Sequence, residues 1–401
     1  MRVLLIVGLL PSPGGLSTAT FRIARAMKAI GDEVMIVTRD SQDRSPAGFG
    51  RLKTSSVDGL TVHYFPNHWF GGEAYGLCCL ELRKLAEGFE PDVVHAYFAF
   101  PCAYLGSVVA RHLDVPLIVS CRGNDITQHI LTRPSCVRLA LKTADYVTAV
   151  SDSLLEWAKM LDAHGASSPV YNSIESAFAP KGLPGRAELR RSFGLSPAAT
   201  VLGSNAVFVW KKGPEYLESL LRHLATSDLP NLEFVLIGQY QEELRAKLTR
   251  AFENPSSDGK PRRLIAVPMP SRQDLPRLLA TLDLFVLTSR REGMPNVLLE
   301  AMSVGVAVAA TAVNGCVDLL ADPEAGLLLD PFDGTKGAQQ LLELLADPER
   351  IKRYADLGKE LMAKKYSVEQ ELRNIKNIYE SVRQKRIRDR VPLREADTIS
   401  T

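Results

Sequence analysis

The sequence predicts an α/β protein with two doubly wound, Rossmann-like domains. Two observations carry this prediction. Apolar runs of strand type alternate with helix-like stretches through the first half, and the alternation restarts after a segment rich in Pro and Gly, 177–184. Such alternation predicts a mostly parallel sheet with helices on both faces. Because the pattern occurs twice, we expect two sheets facing a central cleft, with ligands at the carboxyl ends of the strands.

The first half contains six strand-like runs and four helix-like stretches. The strands are predicted at 2–8, 33–38, 60–66, 92–98, 115–121 and 146–151. The helices are predicted at 17–30, 73–88, 102–113 and 152–161. In the second half, strands are predicted at 200–208, 231–238, 263–268, 283–288 and 305–311, with helices near 214–225, 241–252, 272–281 and 295–303. Each helix therefore separates two strands, as a parallel sheet requires.

These patterns divide the chain into residues 1–176, 177–365, a helix at 366–390 and an expected flexible tail at 391–401. The last helix is predicted because five apolar residues recur at a spacing of three or four and so form one stripe. They are Val368, Leu372, Ile375, Ile378 and Val382. The stripe by itself fits a dimer interface as well as a contact with either domain. The basic run 383–390 predicts a solvated surface, with anionic lipid as the alternative partner.

Composition narrows the class of protein. The chain has 401 residues, 46% apolar and 23% charged, and a formal net charge of +2, so nucleic-acid binding is not the default expectation. No apolar run of about 18 residues predicts a membrane-spanning helix. The six Cys and seven His show neither Cys-x-x-Cys nor metal-ligand spacing. We therefore expect a cytoplasmic protein without a structural metal or a disulfide framework.

The segment 292–300 is the part of the sequence that most clearly indicates the chemistry of this protein. It reads Glu-Gly-Met-Pro-Asn-Val-Leu-Leu-Glu. An apolar strand precedes it and a helix-forming stretch follows it, so Glu292 lies in a tight turn and Glu300 lies inside the helix. Gly293 and Pro295 stand at the join, and Pro is tolerated in a first helical turn. A helix start suits a phosphate, and a carboxylate can accept two hydrogen bonds from the diol of a ribose. The segment therefore predicts a nucleotide site, the alternative being two solvated carboxylates at a helix start.

The same segment resembles the donor-site signature of retaining glycosyltransferases with the GT-B fold, and more narrowly family 4, the glycosyl transferases group 1. The resemblance extends over residues 1–385. It implies an acceptor-side domain at 1–176, a nucleotide-sugar donor domain at 177–365, and a last helix that crosses back onto the first domain. It further implies that Glu300 holds the ribose, that Gly293, Met294, Pro295 and Asn296 contact the diphosphate, and that Glu292 lies near the donor sugar.

Two further stretches match the phosphate side of such a site. Gly14 and Gly15 follow the first strand and open a helix, where glycines let backbone N–H groups approach a ligand; a plain turn is the alternative. Lys212 follows a strand and precedes Gly213, and its compact charge suits a departing diphosphate. Relatives usually carry an Arg five residues before this lysine, whereas this chain has Val207. We expect Arg290 or Arg291 to replace that guanidinium, or donor binding to be weaker.

Polar residues also follow the carboxyl end of a strand in the first domain. Arg122 and Asp125 follow the strand 115–121, and residues at such an exit suit acceptor or sugar recognition. Relatives often have His in place of Arg122. We predict a catalytic contribution from both residues, with a helix cap as the alternative role of Asp125. His95 ends a buried strand and is expected to be a satisfied core histidine.

Taken together, the sequence predicts an enzyme, a retaining hexosyltransferase of polysaccharide or glycolipid biosynthesis. It would move a hexose from a nucleoside-diphosphate sugar to a glycan or lipid-linked acceptor. No Asp-x-Asp occurs, so we expect neither a metal nor another cofactor. The expected partners are the donor and the acceptor, with a peripheral contact at the inner membrane face left open. The alternatives are a nucleotide-sugar epimerase on the same fold and a catalytically weak partner subunit.

Overall fold

The computed structural model describes residues 1–10, 15–40, 52–66, 74–175, 178, 182–253, 262–321 and 323–390. The chain forms two compact units: unit 1 is Met1–Tyr171 with Glu369–Thr401, and unit 2 is Asn172–Val368. Each unit contains one sheet, covered by helices, and the predicted class of two Rossmann-like α/β domains is confirmed. The predicted linker 177–184 lies largely outside the described residues.

Unit 1 contains an eight-stranded sheet. Its strands are β1 Arg2–Leu10, β2 Glu33–Asp40, β3 Lys53–Val57, β4 Leu60–Phe65, β5 Val93–Tyr97, β6 Leu117–Cys121, β7 Tyr146–Ala149 and β8 Ala166–Pro169, in the order β3-β4-β2-β1-β5-β6-β7-β8. Its helices are α1 Gly15–Ala29, α2 Tyr75–Phe89, α3 Tyr104–Leu113, α4 Asn124–Thr127, α5 His129–Thr132, α6 Pro134–Thr143 and α7 Asp152–Met160. A π-helical turn, Ala99–Ala103, joins β5 to α3.

The two edge strands of this sheet, β3 and β8, were absent from the prediction. β3 pairs with β4 in the antiparallel direction, whereas the other pairs in the sheet are parallel. Asp58 and Gly59 connect the two strands, and both have positive φ, 52° and 72°. Asp-Gly is a favoured two-residue hairpin connection for this reason. The dipeptide was therefore an available signal, although exposed polar residues in β3 hide it from an analysis of apolar runs.

Unit 2 contains a six-stranded sheet with parallel pairs. Its strands are β9 Thr200–Val207, β10 Leu232–Gln239, β11 Arg262–Pro268, β12 Leu284–Leu287, β13 Ala307–Thr311 and β14 Leu327–Leu329, in the order β11-β10-β9-β12-β13-β14. Its helices are α8 Arg186–Ser192, α9 Pro214–Ala225, α10 Glu242–Glu253, α11 Asp274–Leu279, α12 Asn296–Ser303, α13 Asn314–Leu320, α14 Gly334–Leu345 and α15 Pro348–Lys364. A core cluster lies between the sheet and the helices that cover it, with Leu, Ala and Phe dominant.

The last helix, α16 Val368–Arg390, belongs to unit 1 from Glu369 onward. Ile375, Ile378, Tyr379 and Val382 are buried in the same core as β1 and α1. Glu371 forms a buried ion pair with Arg22 of α1, at 3.1 Å, so charge as well as apolar area joins the two helices. The stripe is therefore covered within the chain, and a dimer interface is not needed to explain it.

The basic run at the end of α16 is also engaged with unit 1. Arg383 pairs with Asp92 at 3.2 Å, and Arg386 pairs with Asp114 at 3.5 Å. Partly exposed pairs of this kind contribute little stability, but they partly neutralise the charge of the run. Among the described helices, none combines the length and apolar content needed to cross a membrane.

Candidate functional site

The strand order of unit 2 marks where a ligand is expected. From β9 the chain moves outward to β10 and β11, and it then returns to place β12 on the other side of β9. The loops after β9 and β12 therefore leave the sheet in opposite directions, and the carboxyl ends of these strands open a crevice. The loop after β9 contains Lys211 and Lys212, and the loop after β12 contains Glu292 and the start of α12. The switch point thus brings both predicted stretches together.

An ion pair joins these two loops. Lys212 Nζ donates to Glu292 Oε1, and Ser289 Oγ donates to the same oxygen at 2.7 Å. Both charged side chains are largely covered, with exposures of 15% for Lys212 and 9% for Glu292. Thr288 Oγ1 donates to the carbonyl of Lys212 at 2.9 Å, which holds the two backbones together. The carboxylate is therefore fixed by two donors, and its remaining oxygen is oriented with it.

Two glycines allow the loops to approach so closely. Gly213 has a φ of 61°, and a Cβ at this position would lie 2.1 Å from the carbonyl oxygen of Thr288. At Gly315, in the first turn of α13, a Cβ would lie 2.1 Å from the carbonyl oxygen of Gly293. Neither contact is tolerable for a side chain, so each glycine is required by packing at the site. The sequence analysis singled out Gly213 only as a neighbour of Lys212.

The start of α12 differs slightly from the prediction. Pro295 immediately precedes the helix instead of lying in its first turn, and the amide of Asn296 already donates to the carbonyl of Met294 at 3.1 Å. Pro has no N–H, and the amides of Glu292, Gly293 and Met294 donate to no backbone carbonyl among the described residues. Asn296 Oδ1 accepts a hydrogen bond from Asn172 Nδ2 at 2.8 Å, a contact that the sequence did not predict. Glu300 is half-buried, just over one turn into the helix.

The carboxyl edge of the sheet in unit 1 holds a buried polar chain. His95 is hydrogen-bonded at both ring nitrogens, to Tyr379 Oη and to Ser120 Oγ, each at 2.7 Å. Ser120 Oγ is in turn 2.6 Å from Thr148 Oγ1. Burial, and then the charge of Arg122, lowers the pKa of His95 to about 3, so the ring is neutral near pH 7. The expectation of a satisfied core histidine is confirmed.

Asp125, which the sequence analysis predicts to be catalytic, is fully buried. Its carboxylate accepts from the amides of Ala99, Arg122 and Gly123 at 3.0, 3.1 and 2.8 Å. Burial raises the pKa of Asp125, and these amides act in the opposite direction. The side chain therefore anchors the loops after β5 and β6 and does not cap α4, whose N-cap is Gly123. The predicted catalytic contribution of Asp125 stays a prediction.

Arg122 lies on the surface side of that anchor. Its guanidinium carbon is 4.0 Å from the centre of the Tyr97 ring, a stacked cation–π contact, and the residue is half-buried. The predicted contribution of Arg122 stays a prediction. Gly15 is the first residue of α1, and Gly14 lies outside the described residues.

Two kinds of residue escaped the sequence analysis. Ser289 and Thr288 support the ion pair; their signal was the presence of hydroxyl groups at the carboxyl end of a buried strand. Lys211 was not singled out by the sequence analysis, but it is half-buried beside the same carboxylate. Within the described part of the chain, no cluster of three or more His, Cys, Asp or Glu side chains could hold a metal ion.

Comparison with known proteins agrees with this geometry. A model described as Glycosyltransferase Family 4 matches residues 13–174, and one described as Glycosyl transferases group 1 matches residues 185–361. N-acetyl-alpha-D-glucosaminyl L-malate synthase of Bacillus anthracis is 23% identical over 383 residues, which cover 93% of this chain and 95% of that protein. GDP-mannose-dependent alpha-mannosyltransferase of Mycobacterium tuberculosis is 25% identical over 344 residues, covering 80% and 81%.

A solved structure shares the fold. Anabaena HepE in complex with UDP and glucose matches with a TM-score of 0.74 at 19% identity, covering 94% of this chain and 99% of that one. The two family models together account for most of the sequence, one for each Rossmann-like domain. The chain therefore belongs to the glycosyltransferases of the GT-B fold, in the group 1 and family 4 class.

Proposed function

We propose that this glycosyltransferase transfers a hexose from a nucleoside-diphosphate sugar to a glycan or lipid-linked saccharide, with retention of anomeric configuration and without a metal. The observation that carries the proposal is the Lys212–Glu292 pair at the switch point of unit 2, immediately before α12. The names of relatives support the donor class, since one is GDP-mannose-dependent and a structural neighbour was solved with UDP and glucose.

Six predicted residues of unit 2 have physical roles in this proposal. Lys212 stabilises the negative charge that develops on the departing diphosphate, the kind of electrostatic effect that is usually large in catalysis. The amides of Gly293 and Met294 donate to phosphate oxygens, and Asn296 fixes the turn through Asn172. Glu292 orients donor hydroxyls and stabilises positive character at the anomeric carbon.

Glu300 accepts two hydrogen bonds from the ribose diol. Because only its charge and acceptor geometry change in Glu300→Gln, this variant should weaken nucleotide binding by about 1–3 kcal/mol, the scale of a hydrogen bond to a charged group. A thermal-shift screen with UDP, GDP and ADP first identifies the nucleotide that stabilises the parent protein, since a ligand of the native state raises the melting temperature. Calorimetric titration with that nucleotide then gives the difference in affinity.

The matched control is Glu343→Gln, which removes an exposed carboxylate from α14 in the same unit. It should bind nucleotide like the parent. Equal affinity of Glu300→Gln and the parent would show that Glu300 does not hold the ribose. Failure of every nucleotide to stabilise the parent would overturn the proposed donor class.

Acceptor identity is tested by product analysis. A transferase releases a glycosylated product only when an acceptor glycan is present, whereas an epimerase releases an altered sugar or sugar nucleotide without one. A partner subunit with little turnover would bind nucleotide and yield neither product. Val207 motivates this last outcome, because no guanidinium is supplied from the end of β9.

For lipid-linked acceptors we extend the proposal to one surface of unit 1, the segment α5–α6. Residues 126–144 include no Asp or Glu, Arg133 and Lys142 are exposed, and Leu131 is 81% exposed. Exposed apolar and basic side chains on one surface suit an anionic lipid interface. Transfer to acceptor embedded in anionic vesicles should then exceed transfer in zwitterionic vesicles; equal rates would contradict a membrane role for this surface.

A further inference from the structure

Three cations of unit 2 surround a single carboxylate. The pKa of Lys211 is lowered, first by burial and then by the charge of Lys212, with Arg291 acting in the same direction and Glu292 in the opposite one. These four groups are therefore electrostatic neighbours. They combine three positive charges with one negative charge, which leaves a local surplus of positive charge.

The single carboxylate does not compensate all three cations. Glu292 Oε1 is bonded to Lys212 and to Ser289. Among the described residues Lys211 forms no ion pair, and Arg291 Nε is buried without a hydrogen-bond partner. Both residues are half-buried. Burying cationic groups without partners costs free energy, so the arrangement disfavours the empty site and favours an anion.

The preceding arginine shows the contrast. Arg290 pairs with Glu215 at 3.0 Å and lies over the Trp210 ring, 5.0 Å from its centre. Its charge is thus compensated at the exposed side of α9, and its backbone amide donates to the carbonyl of Lys211. The two adjacent arginines therefore differ: the charge of Arg290 is compensated by a structural contact, whereas the charge of Arg291 is not.

We propose that Lys211 and Arg291 bind the two phosphates of the donor, and that Arg291 supplies the guanidinium that Val207 cannot. This inference rests on the proposed function, because it assumes that the Lys212–Glu292 turn receives a nucleoside diphosphate. A sugar-linked diphosphate carries one negative charge on each phosphate and so matches the surplus of the empty site. Arg291 offers a planar set of N–H donors suited to one phosphate, and Lys211 offers a compact charge suited to the other.

The test compares Arg291→Ala and Lys211→Ala with Arg290→Ala. Affinities are measured by calorimetric titration for the nucleoside diphosphate that stabilises the parent protein, and for its nucleoside monophosphate. Each of the first two variants should bind the diphosphate about ten-fold more weakly, as expected for a charge-assisted hydrogen bond. They should lose much less affinity for the monophosphate, and Arg290→Ala should stay within about two-fold of the parent for both ligands.

Arg291→Lys provides a variant that keeps the charge. If charge and not fold integrity is the cause, Arg291→Lys should recover part of the lost diphosphate affinity while all variants keep the melting temperature of the ligand-free parent within a few degrees. A parent that binds diphosphate while Arg291→Ala and Lys211→Ala bind it equally well would overturn this inference and leave the proposed function intact. A parent that binds no nucleoside diphosphate at all would overturn both.

Discussion

The carboxyl edges of the two sheets use polar residues in opposite ways. In unit 1, His95, Ser120 and Asp125 are buried, and hydrogen bonds within the unit satisfy them. In unit 2, Lys212 and Glu292 form a largely covered pair, but Lys211 and Arg291 keep charge that no described residue compensates. Both edges belong to the same kind of sheet, so the difference does not come from the fold class.

This contrast distinguishes polar residues that stabilise the structure from charged residues that a bound ligand would stabilise. A buried polar group with all its partners stabilises loops and gains nothing from substrate. A partly buried charge without a partner is stabilised when an anion arrives. Both sets lie at strand ends, and only the partners of each side chain tell them apart.

The largest effect should come from breaking the anchor of unit 1. Asp125→Ala leaves the amides of Ala99, Arg122 and Gly123 buried without their acceptor, and it should lower the free energy of unfolding of unit 1 by about 4 kcal/mol, since each orphaned donor costs about 1–3 kcal/mol. Urea unfolding followed by circular dichroism measures this change. Diphosphate affinity should stay near that of the parent at low temperature.

Asp152→Ala is the control for Asp125→Ala, because Asp152 also lies in the first turn of a helix after a strand but is exposed. It should cost about 1 kcal/mol or less. If the two variants are equally stable, Asp125 is not an anchor. If Asp125→Ala folds normally but has no turnover, the prediction of a catalytic role is supported.

A smaller free-energy change, but a large loss of rate, is expected at the ion pair of unit 2. Lys212→Ala removes the charge nearest to Glu292 and should lower turnover by about a hundred-fold, the scale seen when one donor to a developing anion is removed. Nucleotide affinity should fall less than turnover, because the charge matters most as the bond breaks. Steady-state kinetics and titration on the same samples give both quantities.

Lys352→Ala serves as the control for Lys212→Ala, since it removes a lysine from an exposed pair with Asp356 on α15. Its kinetics should equal those of the parent. A loss of affinity with turnover unchanged in Lys212→Ala would mean that this lysine binds donor and transition state alike, and would exclude the proposed role in bond cleavage.

The smallest effect concerns pH. Burial and Arg122 lower the pKa of His95 to about 3, whereas an unfolded histidine titrates near ~6.5. At a pH between these two values, His95 therefore binds a proton in the unfolded chain but not in the folded chain. The stability due to neutral His95 is complete above the unfolded pKa and is lost as the pH falls from about 6.5 toward 3.

His95→Gln removes this titration and keeps groups that can hydrogen-bond. Between about pH 7 and about pH 5.5, the parent should lose about 1 kcal/mol more of its unfolding free energy than His95→Gln does. Above about pH 7 the difference between the two proteins should be constant. Parallel curves over the whole range would contradict a neutral, buried ring.

The amino-acid sequence determined the main architecture and the centre of the candidate site. Two rounds of alternating strands and helices fix two parallel sheets, because apolar runs of five to eight residues are stable only when both faces are covered. The segment 292–300 placed a turn and a helix start after a buried strand, since Gly tolerates turn conformations that other residues avoid and Pro is disfavoured inside helices and strands. The apolar stripe of α16 predicted a helix with one buried face, although not what would cover it.

Tertiary structure decided the partners, which spacing along the chain does not reveal. Lys212 and Glu292 are 80 residues apart in sequence, and they meet because β9 and β12 are neighbours across the switch point. The same is true of Asp125 and Ala99, which are 26 residues apart and whose hydrogen bond joins the loops after β5 and β6. The sequence does not distinguish Arg290 from Arg291. The neighbours of each guanidinium in the structure show that the charge of Arg290 is compensated, whereas that of Arg291 favours an anion. Local sequence sets where a side chain leaves the backbone, whereas long-range packing sets which charges it meets.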